Sequence, residues 1–123
     1  MSYRVLLQTI ESMLRSEGCK TKAESNNVLL FKCIHEDVEY SFALEIDSIS
    51  GYVRISLLTD YAYEGDYKNI SAKNFELYGI KVAIDPEGYL AFIAEIPLIC
   101  LTKGGIDIIL NLINLLEKTI KLI

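Results

Sequence analysis

The chain is poor in the side chains that most often carry out catalysis. His35 is the single histidine among 123 residues. A catalytic imidazole needs a partner that orients its ring. The acids closest in sequence, Glu36 and Asp37, follow it directly in a predicted turn, where adjacent side chains point in different directions. The sequence therefore predicts a solvated turn histidine, no catalytic residues and a protein that is not an enzyme.

Metal ligands are also scarce. Cys19, Cys33 and Cys100 are an odd number of cysteines, and no two have the short spacing of a zinc knuckle or a redox pair. His35 and Cys33 share one face of a predicted strand, but two ligands leave a metal site incomplete. We expect no metal, no cofactor and three buried free thiols. Free thiols and an N-terminus without a secretory pattern favour the cytoplasm.

Clusters of positive charge are missing as well. The net charge is −5, and the 12 lysines and arginines are scattered along the chain. Recognition of phosphate groups depends on clustered basic residues, so we expect no nucleic-acid partner. A membrane span needs roughly 20 apolar residues in sequence. Lys103, Asp107, Asn111 and Asn114 interrupt every stretch of that length that includes the C-terminal apolar segment, so we expect no membrane insertion either.

That C-terminal segment, residues 105–123, is the most unusual feature that is present. At about 100° per residue its polar side chains occupy a stripe roughly 80° wide, and its aliphatic side chains sweep an arc of roughly 240°. The apolar stripe of a surface helix is typically about 100° wide or somewhat more. Either the helix lies in a cleft between its own sheet and a neighbouring loop, or one flank contacts a second subunit. We favour the second subunit, with an interface at Ile109, Leu112, Ile113, Leu116 and Ile120.

The rest of the chain predicts an α+β fold. In residues 38–47 large apolar side chains alternate strictly with polar side chains and Ala43, which is typical of a half-buried antiparallel strand. The predicted order is a helix that ends at Gly18, a polar connection at 19–27, strands at 28–34, 38–47 and 53–57, a short helix at 71–77, strands at 80–84 and 90–96, and the C-terminal helix. Strands joined by short turns cannot be parallel neighbours. We therefore expect one domain, residues 1–123: helix, three-stranded antiparallel meander, short helix, β-hairpin and C-terminal helix, with the helices packed on one face of an antiparallel sheet.

This order of elements resembles the type III secretion chaperone-like fold, which includes the YbjN-like proteins. The local features that carry the resemblance are the helix that ends near Gly18, the turn-linked meander, and residues 80–98 with their turn at 85–88 and their close at Pro97 and Leu98. The resemblance covers most of the chain. It implies a non-catalytic homodimer that holds another protein or a segment of one. The predicted second helix is shorter than the secretion chaperones usually have.

Residues 61–69 are rich in tyrosine, acidic residues and glycine, and they follow neither the helical nor the strand period. Two interpretations remain open. The segment is either a solvated loop whose tyrosines cover the edge of the sheet, or a recognition loop, because tyrosine offers a large contact area at low entropic cost. The candidate recognition residues are Tyr61, Tyr63, Glu64, Asp66 and Tyr67.

These features predict a cytoplasmic protein-binding module, chaperone-like or adaptor, that acts as a homodimer and binds an unidentified protein. The alternative is a small-molecule-binding domain. It would hold an apolar ligand between the sheet and the C-terminal helix, in a pocket lined by Phe42, Tyr89 and Phe92.

Overall fold

A computed structural model describes residues 3–121 of the chain. Its strands are β1 (Lys20–Ala23), β2 (Val28–His35), β3 (Val38–Asp47), β4 (Tyr52–Ala62), β5 (Lys81–Ile84) and β6 (Tyr89–Pro97). Its helices are α1 (Arg4–Ser16), α2 (Tyr67–Glu76), α3 (Leu98–Gly104) and α4 (Ile108–Ile120). The strands form one antiparallel sheet in the order β1-β2-β3-β4-β6-β5. The predicted α+β class, with its meander and its hairpin, is confirmed.

The two tight turns explain why neighbouring strands are antiparallel. Glu36 and Asp37 connect β2 to β3 with positive φ angles of 52° and 65°. Two positive φ angles define the type I′ turn, whose twist matches that of the flanking strands. In the β5–β6 turn the Gly88 amide donates to the Asp85 carbonyl at 2.9 Å. Gly88 has a φ of 91°, as the sequence of this turn predicts.

The hydrophobic core lies between one face of the sheet, here called the inner face, and the helices α1 and α4. Register partners on adjacent strands form a row across this face: Phe31, Phe42, Leu57, Phe92 and Val82. Each is at most 4% exposed. Ile10 and Leu14 of α1 and Ile109 and Leu116 of α4 pack over the row and are fully buried. The helices therefore pack on one face, and the opposite, outer face is exposed along its lysine-bearing strands.

Strand β1 corrects the predicted polar connection at residues 19–27. Its sequence lacks apolar alternation because an edge strand with an exposed face needs none, and it pairs with β2 with Lys20 opposite Lys32. Extending that register by one residue places Cys19 opposite Cys33. The two form a disulfide with a Cα–Cα distance of 4.4 Å, close to the roughly 4.5 Å of directly opposed, non-hydrogen-bonded residues. The prediction of three free thiols is therefore wrong for this pair, and Cys100 is the free cysteine of the described residues.

Helix α2 begins earlier than predicted. Asp66 is its N-cap, and its Oδ1 accepts a hydrogen bond from the Lys68 amide at 3.0 Å. Ser71, at which the predicted helix began, lies inside the helix. The predicted loop at 61–69 is correspondingly shorter, because β4 continues to Ala62 and the irregular segment spans residues 63–66.

Helix α3 occupies part of the connection that was predicted to separate β6 from the last helix. Its Leu101 is 2% exposed and belongs to the core cluster. Gly105, with a φ of 95°, separates α3 from α4. Helix α4 therefore packs against both the sheet and α3. Residues 122 and 123, predicted to end the helix, lie outside the described residues.

Candidate recognition cleft

The first residues of β3 and the last residues of β4 are not paired with each other. Their register stops at the pair Ser41 and Leu58. The register of β4 with β6 shifts between Leu58 and Ala62, so that β4 carries extra residues there and bends. The Thr59 hydroxyl donates to the Leu90 carbonyl at 2.7 Å and holds this part of β4 to β6. As a result, the last residues of β4 follow β6 and leave β3.

The separation opens a cleft of about 430 Å³, which we call the recognition cleft. Residues 38–41 of β3 form one wall and residues 57–61 of β4 form the other, with Ile120 of α4 also in the lining. Three large side chains on the walls are open to solvent: Val38, Leu58 and Tyr61 are 49%, 39% and 61% exposed. The cleft thus combines solvent-exposed apolar surface with two strand ends that diverge from each other.

Backbone groups also face the cleft. The two-residue turn after His35 makes His35 and Val38 a register pair whose peptide groups bond each other. Because peptide groups alternate in direction along a strand, those of Glu39 point the other way, towards β4. The β3–β4 ladder has ended at this level, so the Glu39 amide and carbonyl are directed into the cleft.

The candidate recognition residues lie in different places in the structure and make different contacts. Tyr61 alone of the described side chains in that set lines the cleft. The Tyr63 hydroxyl donates to the Asp66 carbonyl at 2.8 Å, which folds the 63–66 segment on itself. Asp66 caps α2, and Glu64 is exposed. Tyr67 begins α2, and its side chain lies outside the described part of the chain. The acidic tyrosine segment therefore shapes one end of the cleft and does not form a single binding loop.

A charged cluster lies where α4 ends, beside Ile120 in the cleft lining. The His35 imidazole is 3.6 Å from Glu117 Oε2 through Nδ1 and 3.6 Å from Glu36 Oε1 through Nε2. Lys121 Nζ donates to Glu36 Oε2 at 3.2 Å. This hydrogen bond is the main cause that lowers the pKa of Glu36 and raises that of Lys121. The cluster ties the β2–β3 turn to α4.

Glu117 is the residue of this cluster that the sequence analysis missed. It is 5% exposed, and burial raises the pKa of its carboxyl group, against the opposing attraction of His35. The signal was present, because Glu117 is an acidic residue outside the polar stripe of the last helix. His35 is half-exposed, and its ring has carboxylates on both sides, so it is more than a solvated turn residue.

The described side chains of the cluster are an imidazole, two carboxyl groups and a lysine. Within residues 3–121, no serine, threonine or cysteine side chain is hydrogen-bonded to His35. The same residues contain no group of three or more His, Cys, Asp or Glu side chains placed to hold a metal ion. The cluster holds the buried Glu117 carboxyl group beside the His35 imidazole, where the β2–β3 turn meets α4.

The predicted interface on α4 is largely occupied by the chain itself. Ile109 and Leu116 are fully buried and Ile113 is 5% exposed, so within the single chain these three offer little surface for a second subunit. Leu112 and Ile120 are partly buried. The exposed flank of α4 is at Leu115, which is 40% exposed.

The chain comes close to that flank at Gly79, directly after two exposed aromatic residues. Phe75 and Tyr78, at the end of α2 and just beyond it, are 91% and 90% exposed. Gly79 follows Tyr78, and a Cβ added to it would lie 4.0 Å from a methyl group of Leu115. We call Phe75, Tyr78 and Leu115 the aromatic patch.

The pocket predicted for an apolar ligand is filled by side chains. Phe42 and Phe92 are each 1% exposed and belong to the core. Tyr89 is half-buried on β6, opposite Ala62. The recognition cleft, which also contacts α4 through Ile120, lies at the ends of β3 and β4 instead.

Within residues 3–121, no helix is both long enough and apolar enough to cross a membrane. No protein-family model, curated protein or solved structure matches the chain. The resemblance to the type III secretion chaperone-like fold therefore stays a prediction.

Proposed function

We propose that this protein is a non-enzymatic protein-binding module, chaperone-like or adaptor, that holds an extended segment of a partner protein in the recognition cleft. One observation carries the proposal. Two strands of the same sheet leave each other around a cleft of about 430 Å³ with exposed apolar walls. An extended peptide can satisfy strand peptide groups while its alternate side chains fill apolar pockets, as in β-augmentation.

The two walls provide complementary contacts for such a segment. The Glu39 peptide groups on β3 offer backbone hydrogen bonds. Val38, Leu58 and Tyr61 offer apolar area that water now contacts. Tyrosine adds contact area with few rotatable bonds, so ordering Tyr61 on binding costs little entropy.

Selection from a random peptide library displayed on phage tests this function on the intact protein. We expect enriched peptides to lose binding to the Leu58→Glu variant, because a charge would then lie between the cleft walls. Ile49→Glu is the matched control, since Ile49 is 95% exposed in the β3–β4 turn and does not line the cleft. Failure to enrich any peptide, or binding that Leu58→Glu leaves unchanged, would refute the cleft as the binding site.

We further propose that the module is a homodimer in which the aromatic patch contacts a second copy. Two aromatic side chains are at least 90% exposed, and Gly79, which follows them, approaches the exposed Leu115. Exposed apolar surface of this kind marks interaction sites. Closed homodimers are the commonest oligomers and bury the same patch on both subunits. The contact lies on the Leu115 flank of α4, a different place from the five interface residues predicted on that helix.

Light scattering after size-exclusion chromatography tests the dimer. We expect a dimer for the wild type and for Ile49→Glu, and a folded monomer for Phe75→Glu. A wild-type monomer at micromolar concentration would contradict the proposal. Glutamate at Ile109 and Leu116 cannot serve as the test, because both residues are fully buried and the chain would unfold.

A second candidate function is the binding of an apolar small molecule in the same cleft. Its volume of about 430 Å³ lies within the roughly 300–1,000 Å³ of ligand pockets. Native mass spectrometry of protein purified from its own source distinguishes the two functions, because a resident ligand would add a discrete mass that disappears on denaturation.

The cytoplasmic location also stays a proposal. The Cys19–Cys33 disulfide removes its free-thiol support, because such bridges persist mainly in oxidising compartments. Trapping the thiols with an alkylating reagent at the moment of cell lysis tests the location. Fully alkylated cysteines would favour the cytoplasm, and a retained bridge would argue against it.

A further inference from the structure

A second depression lies on the outer face of the sheet, between β1 and β4. It measures about 360 Å³, and the outer-face side chains that line it are Lys20, Lys22, Leu30, Lys32, Ser41 and Leu58. Lys20 is the register partner of Lys32, and Lys22 is the partner of Leu30. The three lysines therefore lie around the apolar side chain of Leu30. We call this depression the lysine hollow.

The lysine hollow and the recognition cleft form one groove. Ser41 and Leu58 line both of them, so the two depressions meet over these residues. Crossing from β1 to β4 takes three strand spacings, or about 14 Å, and the cleft continues for about 10 Å along β4. A path of about 24 Å corresponds to roughly seven residues of extended chain.

The two ends of this groove carry opposite charge. Among the described residues, Lys20 and Lys22 form no ion pair, whereas Lys32 is 3.9 Å from Glu39 at the junction. The cleft end carries Asp60, which likewise has no ion-pair partner within residues 3–121. The chain has a net charge of −5, so the positive end is a local departure from an acidic surface.

The shape of the groove decides what kind of partner it fits. The hollow is an open depression on a sheet face, and such a depression cannot enclose most of a small ligand as ligand pockets do. It is also concave, whereas binding to a bilayer surface requires apolar side chains that protrude into the lipid. A segment of another protein, with apolar side chains in the middle and charges at both ends, satisfies both conditions.

We propose that the groove selects and orients a partner segment of about seven residues with an apolar centre, an acidic flank over the lysine hollow and a basic flank beside Asp60. This inference rests on the proposed peptide-binding function and adds the charge pattern of the partner. Complementary charges at an interface contribute specificity and fix register. The apolar middle supplies contact area over Leu30 and Leu58.

Synthetic seven-residue peptides test the proposal on the full chain. The first peptide has two glutamates, three apolar residues and two lysines, and the second has the same residues in reverse order. Each carries a nitroxide at one end or the other, and the loss of amide NMR signals reports which end lies near which part of the groove. We expect the acidic end to broaden residues 20–23 and the basic end to broaden residues 59–61, for both sequence directions.

Charge reversal on the protein provides the second arm. Lys20→Glu combined with Lys22→Glu is expected to weaken binding of the glutamate–lysine peptide by about tenfold, the combined effect of two lost surface ion pairs and the new repulsion. A double variant with Lys103→Glu and Lys118→Glu has the same net charge outside the groove and should bind like the wild type. Glutamine at Lys20 and Lys22 keeps the test valid if glutamate disturbs β1, and should give a smaller loss.

The outcomes separate this inference from the function on which it rests. Peptides that perturb the cleft amides with no preference for either end would overturn the charge polarity and leave peptide binding intact. Peptides that perturb none of the cleft amides would overturn both. Equal weakening by the groove variant and the control variant would show that only net charge matters, and would also overturn the proposal.

Discussion

Reduction of the Cys19–Cys33 disulfide should destabilise the fold by an amount that the chain geometry sets. The bridge joins residues with a sequence separation of 14. In the chain-entropy account, cross-linking the ends of a loop of about 15 residues restricts the unfolded chain by about 3 kcal/mol at 25 °C. Both cysteines lie on paired or adjoining strand segments and Cys33 is 7% exposed, so the native structure can keep its contacts after reduction.

Urea denaturation of the wild type with and without a phosphine reductant measures this difference without any mutation. A loss of about 3 kcal/mol should lower the midpoint by roughly 1–3 M urea, given slopes of about 1–3 kcal/mol per molar. Thiol titration of the unfolded, unreduced protein should find one free thiol, that of Cys100. Cys100→Ser should retain the full effect of the reductant, because Cys100 is not part of the bridge.

The reasoning fails if the titration finds three thiols in protein purified without reductant under oxidising conditions. It also fails if reduction leaves the midpoint unchanged, because the bridge would then not restrict the unfolded chain. A large loss that persists in a double variant with Cys19→Ser and Cys33→Ala, now insensitive to the reductant, would confirm that the loss belongs to the cross-link.

Three further substitutions test local features, each by chemical denaturation. Asp37→Gly should stabilise the fold by about 1 kcal/mol, because glycine removes the steric cost of a φ of 65°, whereas Asp37→Ala should not. Asn74→Ala should cost about 2 kcal/mol, because the Asn74 amide pairs with both the Val82 amide, at 2.6 Å, and the Val82 carbonyl, at 3.0 Å; Asn74→Asp keeps one bond and should cost less. Glu117→Gln should exceed the wild type in stability at neutral pH. The raised pKa of Glu117 means that its favourable contribution is complete below the ordinary value of 4.5 and is lost as the pH rises through the folded pKa, so the two proteins should converge in acid. A glutamine variant less stable than the wild type at pH 7 would show instead that attraction to His35 dominates.

The strands that the sequence predicted best are those with one buried and one exposed face. In β3 the alternating Tyr40, Phe42, Leu44 and Ile46 are all buried as predicted, whereas Ala43 is buried as well and Val38 is exposed. The short turns then predicted which strands are neighbours, since short connections force consecutive strands to pair antiparallel. These two local rules were sufficient for the meander, the hairpin and the α+β class, because neither depends on contacts distant in sequence.

The candidate site depends on contacts that local rules do not describe. The recognition cleft arises from a register shift near Thr59, whose hydroxyl bonds to Leu90, 31 residues further along the chain. The disulfide depends on β1, an edge strand without apolar alternation, pairing with β2. Glu117 becomes relevant only when α4 brings it to His35. Of the candidate recognition residues, Tyr61 lines the cleft and Tyr63, Glu64 and Asp66 do not, a difference that no pattern in residues 61–69 indicates.

Helix α3, which the sequence did not predict, changes the interpretation of the wide apolar arc of the last helix. The arc of roughly 240° exceeds what one sheet face covers, and a second subunit was the favoured explanation. The structure supplies a second cover from the same chain, because α3 packs against α4 with Leu101 buried. Leu115 on α4 stays 40% exposed, and the chain approaches it at Gly79, directly after the exposed Phe75 and Tyr78. The case for a dimer therefore no longer rests on the hydrophobicity of α4, and depends instead on two aromatic side chains that the fold leaves in water.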